Sequence, residues 1–174
     1  MSMASSRSLS TTRRSPPDPI YTLIDKTSCF NGGSTISLSL ACAMTHRRLF
    51  VCDSFEGLPE PDDDEKLDIN AHSAFSNTIY RWERAEFRSA GGLEGVKATV
   101  QKFGNIEACE FVKGYFVDTL STLDTESIVL IFEDADLKSS VQCCLKSLWP
   151  KLQKNCRFVC HEPWSINVVS VLVG

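Results

Sequence analysis

No apolar run in this 174-residue chain is long enough to span a bilayer, and no short apolar stretch behind a basic start suggests a secretory signal. The eight cysteines, at positions 29, 42, 52, 109, 143, 144, 156 and 160, form no C-x-x-C pair and no zinc spacing. Several sit inside apolar runs, so they read as reduced core thiols of an intracellular protein, not as a disulfide framework. A net charge of -4 offers no global attraction for nucleic acid or for an anionic membrane. No G-x-G-x-x-G follows the first strand-like run, which argues against a nicotinamide dehydrogenase. Acids are missing from the first 17 residues, where Ser, Thr and Arg dominate. Such a start suits an organellar transit peptide or a plain disordered tail. The cytoplasm is the default location, with the mitochondrion or chloroplast as the alternatives. Ser15-Pro16-Pro17-Asp18-Pro19 marks the edge of the fold, so residues 1–19 are expected to be a tail and 20–174 a single domain.

What is present alternates. Apolar runs at Ile20 to Ile24, Leu49 to Cys52, Ile106 to Val112, Ile128 to Phe132 and Arg157 to Cys160 read as five strands. Between them, Ile36 to Met44, Val96 to Phe103 and Leu137 to Leu148 have helical character. Strands alternating with helices predict an α/β fold with a parallel sheet. Ile128 to Phe132 is apolar without a break, as expected of a strand covered on both faces.

The chemistry-bearing residues fall at strand ends, where open α/β sheets bind ligands. Asn31-Gly32-Gly33-Ser34-Thr35 follows the first strand. Strand, Gly-Gly turn and helix bring a backbone close to a ligand at a helix N-terminus, with Ser34 or Thr35 as the expected cap. Asp53 ends the second strand, where an acid can accept hydrogen bonds from two vicinal hydroxyls such as a ribose diol. Asp134 and Asp136 follow the fourth strand. At i and i+2 on an extended segment they point the same way and can share a hard divalent cation. His161 and Glu162 follow the fifth strand and can also ligate a cation. Asp118 reads as a helix N-cap. The acid run Asp62-Asp63-Asp64-Glu65 reads as a solvated loop, because contiguous acids repel.

Asp53-Ser54-Phe55-Glu56-Gly57-Leu58-Pro59-Glu60-Pro61 resembles the macrocin O-methyltransferase family, which methylates sugar hydroxyls with S-adenosylmethionine. Lys113-Gly114-Tyr115-Phe116-Val117-Asp118-Thr119-Leu120 is similar to that family's G-x-F-x-D-T-L segment, Asp134-Ala135-Asp136-Leu137 to its Asp-Gly-Asp-Leu motif, and Leu148-Trp149-Pro150-Lys151-Leu152 to its helix ending. The similarity runs over about residues 25 to 162. It implies a Rossmann-like class I methyltransferase fold with a mostly parallel sheet. It implies a cofactor site at Gly32, Gly33, Ser34, Asp53, Ser54 and Gly114. It further implies a divalent cation, magnesium foremost, on Asp134, His161 and Glu162, with Asp136 as general base toward a small-molecule hydroxyl acceptor. His161-Glu162 stands where the family has Asp-Asp, and an imidazole shifts metal preference toward manganese, iron or zinc. Residues 72–88, with Phe75, Tyr80, Trp82 and Phe87, are implied to be a lid over the acceptor, or else a short amphipathic helix. Lys26 and Ser28 depart from the family's acid-x-Gly-x-x-x-Gly-Gly-Ser motif, and Glu133 replaces an apolar residue. These departures support the alternative of a degenerate, non-catalytic interaction domain. Methyltransferases of this class close the sheet with an antiparallel hairpin after the fifth strand. Here Ser165 to Gly174 leaves that hairpin short or missing, so either the fifth strand's edge takes a partner or the chain is a piece of a longer one. A homo-oligomer is compatible with the pattern.

Overall fold

The computed structural model describes residues 20–25, 32–62, 65, 89–125, 127–161, 163 and 166–173. Five strands form one sheet: β1 (Ile20–Asp25), β2 (Leu49–Asp53), β3 (Cys109–Lys113), β4 (Ile128–Asp134) and β5 (Leu152–Cys160). Their order is β3-β2-β1-β4-β5, and every neighbouring pair is parallel. The helices are α1 (Gly33–Met44), α2 (Gly92–Phe103), the single turn α3 (Phe116–Thr119), α4 (Lys138–Leu148) and α5 (Ile166–Val173).

β2 shows why the sheet is covered on both faces. All five of its residues are buried, and they divide by the pleat. Leu49 and Val51 join Cys42 of α1 and Val96 and Val100 of α2 in one core. Phe50 and Cys52 join Phe116, Leu120, Val141, Cys144 and Leu148 in the other. A strand sandwiched in this way is apolar along its length, and here only its last residue, Asp53, is charged. Ile128 and Ile131 of β4 share one core although they are an odd number of residues apart. The pairing slips between Ile128 and Leu130, and the extra residue resets the alternation.

α1 buries Thr35, Ser39 and Cys42 and leaves Leu40 and Met44 exposed. Its inner stripe is small and polar, which lets it lie close to the sheet. Ser39 Oγ donates to Ile36 O at 2.7 Å and accepts from Asn105 N–H at 3.0 Å, so the buried hydroxyl is satisfied.

Several expectations shift at element ends. α1 starts earlier than Ile36: Gly32, at φ 78°, is its N-cap residue and no side chain caps it, so Ser34 and Thr35 lie inside the first turn. The left-handed turn is glycine's own and moves the start. Ile106–Ala108 is a 3-10 turn, because Asn105 Oδ1 accepts from Ala108 N–H at 3.1 Å and delays the strand to Cys109. Asp118 does not cap α3. Tyr115 holds that place, and Asp118 is an exposed acid in the first turn. β5 is longer than expected, but only Arg157 to Cys160 pairs regularly with β4. The segment after it is the helix α5, which buries Val168 beside α4.

Among the described residues no helix is long and apolar enough to cross a membrane. Residues 1–19, Lys26, Ser28, 72–88 and Glu162 lie outside the described residues.

Candidate functional site at the carboxyl edge of the sheet

Because all five strands are parallel, their carboxyl ends share one edge. Connections leave β1 toward β2 and β3 on one side, and the chain resumes at β4 and β5 on the other. The switch point lies between β1 and β4, where Asp25 and Asp134 are in register.

On the β2 side, Asp53 is 2% exposed. Its Oδ1 accepts from Phe55 N–H at 2.6 Å, closing an Asx-type turn on its own loop. Ser54 Oγ donates to Gly57 O at 2.6 Å and accepts from Glu56 N–H at 3.1 Å. Phe55 is left-handed at φ 56° yet buried against Phe111, ring centres 6.3 Å apart. A left-handed phenylalanine is uncommon, and the Asp53 bond helps hold it. The next strand end is tied in by Gly114 N–H, which donates to Asp53 O at 2.9 Å. Gly114 has φ 148°, and a Cβ there would stand 2.7 Å from Thr119 Cγ2. Lys113 and Glu56 pair at 2.7 Å at the rim, about half exposed. Among the described residues nothing lies within 4 Å of where a Cβ on Gly33 would be. Asp53, Ser54 and Gly114 belong to turns at the ends of β2 and β3, while Gly32, Gly33 and Ser34 form the start of α1.

On the β4 side, Asp134 is 2% exposed and its Oδ1 lies 3.0 Å from His161 Nδ1. His161 is half exposed. Its backbone N–H donates to Glu133 O at 2.8 Å, continuing the β4–β5 ladder one residue past the strand. Its ring leans on Phe132 at 5.9 Å. Glu133 is fully buried, and its Oε1 accepts from Ala135 N–H at 2.7 Å, folding the acid loop back on the strand end. β4 stops at Asp134, so the alternation argument reaches Asp134 but not the half-buried Asp136 in the following loop. Among the described residues no group of three or more His, Cys, Asp or Glu is placed to hold a metal ion. The expected set of Asp134, His161 and Glu162 is present in its first two members only, since Glu162 is not among the described residues.

The acid run after Pro61 is not wholly solvated. Glu65 is 2% exposed. Its Oε2 accepts from Asp62 N–H at 3.0 Å while Asp62 Oδ1 accepts from Glu65 N–H at 2.8 Å. Its Oε1 accepts from Ser139 N–H at 2.7 Å, in the first turn of α4. Like-charge repulsion is outweighed because three backbone N–H bonds are formed around the pair. The Asp-x-x-Glu spacing is a capping-box signature and was the available signal.

Cys42, Cys52 and Cys144 are buried in the two cores, and Cys109, Cys143 and Cys160 pack against them. Burial pushes the Cys42 thiol from 9.0 up to about 12 and that of Cys109 up to about 11, while Cys52 is raised further by burial and by Asp53 beside it. Among the described residues no cysteine is in a disulfide.

Comparison with known proteins gives the same fold. The structure of the O-methyltransferase NovP superposes with a TM-score of 0.71 at 21% identity, over 88% of this chain and 62% of that one. Calicheamicin methyltransferase CalS11 superposes at 0.60 with 16% identity, over 89% and 62%. In sequence, the chain is 32% identical over 146 residues to 8-demethyl-8-(2,3-dimethoxy-alpha-L-rhamnosyl)-tetracenomycin-C 4'-O-methyltransferase of Streptomyces olivaceus, covering 82% of this chain and 52% of that protein. It is 25% identical over 135 residues to demethyldecarbamoylnovobiocin O-methyltransferase of Streptomyces niveus, covering 73% and 47%. The chain thus spans about half the length of the curated relatives it matches. Residues 21–165 match the macrocin-O-methyltransferase (TylF) family, and the chain belongs to that family.

Proposed function

We propose that this chain carries the core of an S-adenosylmethionine-dependent O-methyltransferase acting on a hydroxyl of a sugar or similar small molecule. The observation that carries the reading is the convergence on one sheet edge, around the strand-order switch point, of the Gly32 turn, buried Asp53, and the Asp134–His161 pair. The sugar acceptor rests on the two relatives, whose names place them on glycosylated or novobiocin-type substrates.

The residues fit the cofactor. The first turn of α1 starts at Gly33, where no described residue stands within 4 Å of an added Cβ, and the N–H groups of a helix start favour a carboxylate. Asp53 is a buried acceptor at the end of β2, matched to a ribose diol. Gly114 brings a backbone with no side chain to the same edge. When bound, S-adenosylmethionine supplies a methyl group on a sulfonium, ready for transfer to an oxygen. Asp53 and the Gly32–Ser34 turn hold and orient it. Asp136 would accept the acceptor's hydroxyl proton during the transfer, which is general-base help.

A divalent cation is the finer part of the proposal. The 3.0 Å between Asp134 Oδ1 and His161 Nδ1 is also roughly the spacing of two adjacent ligands about 2.1 Å from one metal. Asp134, His161 and Glu162 would hold it, and it would lower the pKa of the acceptor hydroxyl.

A second reading has specific support. Lys26 and Ser28 replace an acid and a glycine of the first cofactor motif, as in a domain that has given up catalysis and serves as an interaction module. Calorimetric titration with S-adenosylhomocysteine, with and without magnesium, separates the two. The enzyme reading expects micromolar binding, weakened about 10- to 100-fold in Asp53→Asn, the scale of one charged hydrogen-bond acceptor. Asp53→Asn keeps an Oδ1 for Phe55 N–H, so the loop survives, and Asp53→Ala removes both roles. No binding to the folded wild-type chain sinks the enzyme reading.

A further inference from the structure

The geometry points to Glu65 as a positioning residue for the acid loop, the segment from Asp134 to Leu137 that carries Asp136. The inference rests on the proposed function for the role of Asp136, but the tie itself stands on contacts.

α4 begins at Lys138, and its N-cap residue is Leu137, whose side chain cannot accept a hydrogen bond. A helix start leaves N–H groups without intrahelical partners. Ser139 N–H is one of these, and it is satisfied from outside the helix by Glu65 Oε1 at 2.7 Å, across 74 residues of sequence. The carboxylate also sets negative charge at the positive end of α4. Glu65 is itself held, because its other oxygen and its own N–H are engaged by Asp62. Beside this contact, Leu58 and Leu137 form an apolar cluster of two, one from each loop. The loop that begins at Asp53 therefore grips the end of the acid loop twice, once by charge and once by apolar contact. The other end of that loop is fixed by the β4 ladder and by Glu133 Oε1 on Ala135 N–H. Asp136 sits between two anchors, and only one of them belongs to its own strand.

A serine or aspartate at position 137 would cap α4 locally without any buried charge. Importing a nearly fully buried carboxylate costs desolvation, and what it adds is a fixed spacing between the cofactor-side loop and the acid loop. Placement to a fraction of an ångström is what proton transfer requires of its base.

The test compares wild type, Glu65→Ala and Glu65→Gln by amide exchange followed residue by residue in NMR. Glu65→Ala should speed exchange at Ser139 by about tenfold or more, the change expected for losing one charge-assisted bond, while amides of the last turn of α4 stay as slow as before. Glu65→Gln keeps a carbonyl for Ser139 N–H and should restore most of the protection. Equal exchange at Ser139 in wild type and Glu65→Ala overturns the tie. Faster exchange along the whole of α4 overturns the positioning role and leaves Glu65 a residue of general stability. S-adenosylhomocysteine titrated into the same proteins should bind all three within about threefold, since one uncoupled loop anchor is worth less than one bond at the site. Loss of that binding in Glu65→Ala would place Glu65 in the cofactor site and overturn the assignment to the acid loop. Absence of binding in wild type would defeat the proposed function, while the exchange data would still decide the tie.

Discussion

Gly114→Ala tests how tightly the strand-end turns are built. Two independent costs meet there. The backbone sits at φ 148°, where an L side chain is strained, and the new Cβ would stand 2.7 Å from Thr119 Cγ2. The conformational cost is about 1–3 kcal/mol and overpacking adds about 1–3 kcal/mol, so the expected loss is about 2–6 kcal/mol of unfolding free energy. A large fraction of a domain's whole stability is at stake. The two costs can be separated. Thr119→Ser removes only Cγ2 and keeps the hydroxyl that donates to Tyr115 O at 3.0 Å. In the double variant the overpacking is relieved and the backbone strain stays, so about 1–3 kcal/mol should return. Urea unfolding followed by circular dichroism gives these differences at constant slope. The same variants should weaken S-adenosylhomocysteine binding, because Gly114 N–H is bonded to Asp53 O. A Gly114→Ala protein within about 0.5 kcal/mol of wild type, or a double variant no better than the single one, would refute the geometry on which the argument stands.

Two further outcomes follow from other parts of the molecule. Burial lifts the Cys42 and Cys109 thiols to about 12 and about 11 from 9.0. The folded state therefore keeps protons that the unfolded chain has already lost, and their contribution is intact below pH 9 and disappears as pH climbs from 9 toward 12. Stability should fall there by up to about 1.4 kcal/mol per pH unit for each thiol. Cys42→Ala should flatten that fall, and an unchanged pH dependence in denaturant titrations would count against it. At the other end of the sheet, Asp134→Ala should abolish transfer to any acceptor that the wild-type chain methylates, while S-adenosylhomocysteine affinity stays within about threefold. Transfer that survives the change undiminished would remove the acid loop from the mechanism.

Residues 49–52 and 128–132 could be read as buried strands because unbroken apolar runs have few other uses, and both are central strands of the sheet. The carboxyl-edge position of Asp53 and Asp134 followed from where those runs stop, and that of Gly114 from the end of the run at Ile106 to Val112. Less was legible where polar atoms decide. The most buried stripe of α1 is Thr35, Ser39 and Cys42, with Ile36, Leu38 and Ala43 only partly buried beside it, so apolar periodicity does not mark it. Asn105 replaces the first turn of an expected strand through one side-chain bond. The burial of Glu65 depends on a partner 74 residues away, which no local pattern carries, although its capping spacing with Asp62 was visible. The buried Glu133 makes sense only once its bond to Ala135 N–H is seen. For the same reason, the pairing of Asp134 with His161 could be expected from two strand ends but its 3.0 Å distance could not.

The strand order has a consequence for the birth of the protein. β1 is the middle of the sheet and comes first in sequence among the five described strands. Its pairing with β2 closes over a short stretch, Ile24 against Cys52. Its other side waits for β4, where Ile24 meets Glu133, and 133 − 24 is 109 residues later. At a synthesis rate of about 5–20 residues per second, the open side of β1 stands unpaired for roughly 5–20 s on the ribosome. During that interval the half-sheet β3-β2-β1 presents a central strand as though it were an edge, with the backbone groups that recruit foreign strands. The nascent chain should thus depend on chaperone cover most strongly before residue 134 emerges, well before the carboxyl edge of the sheet is complete.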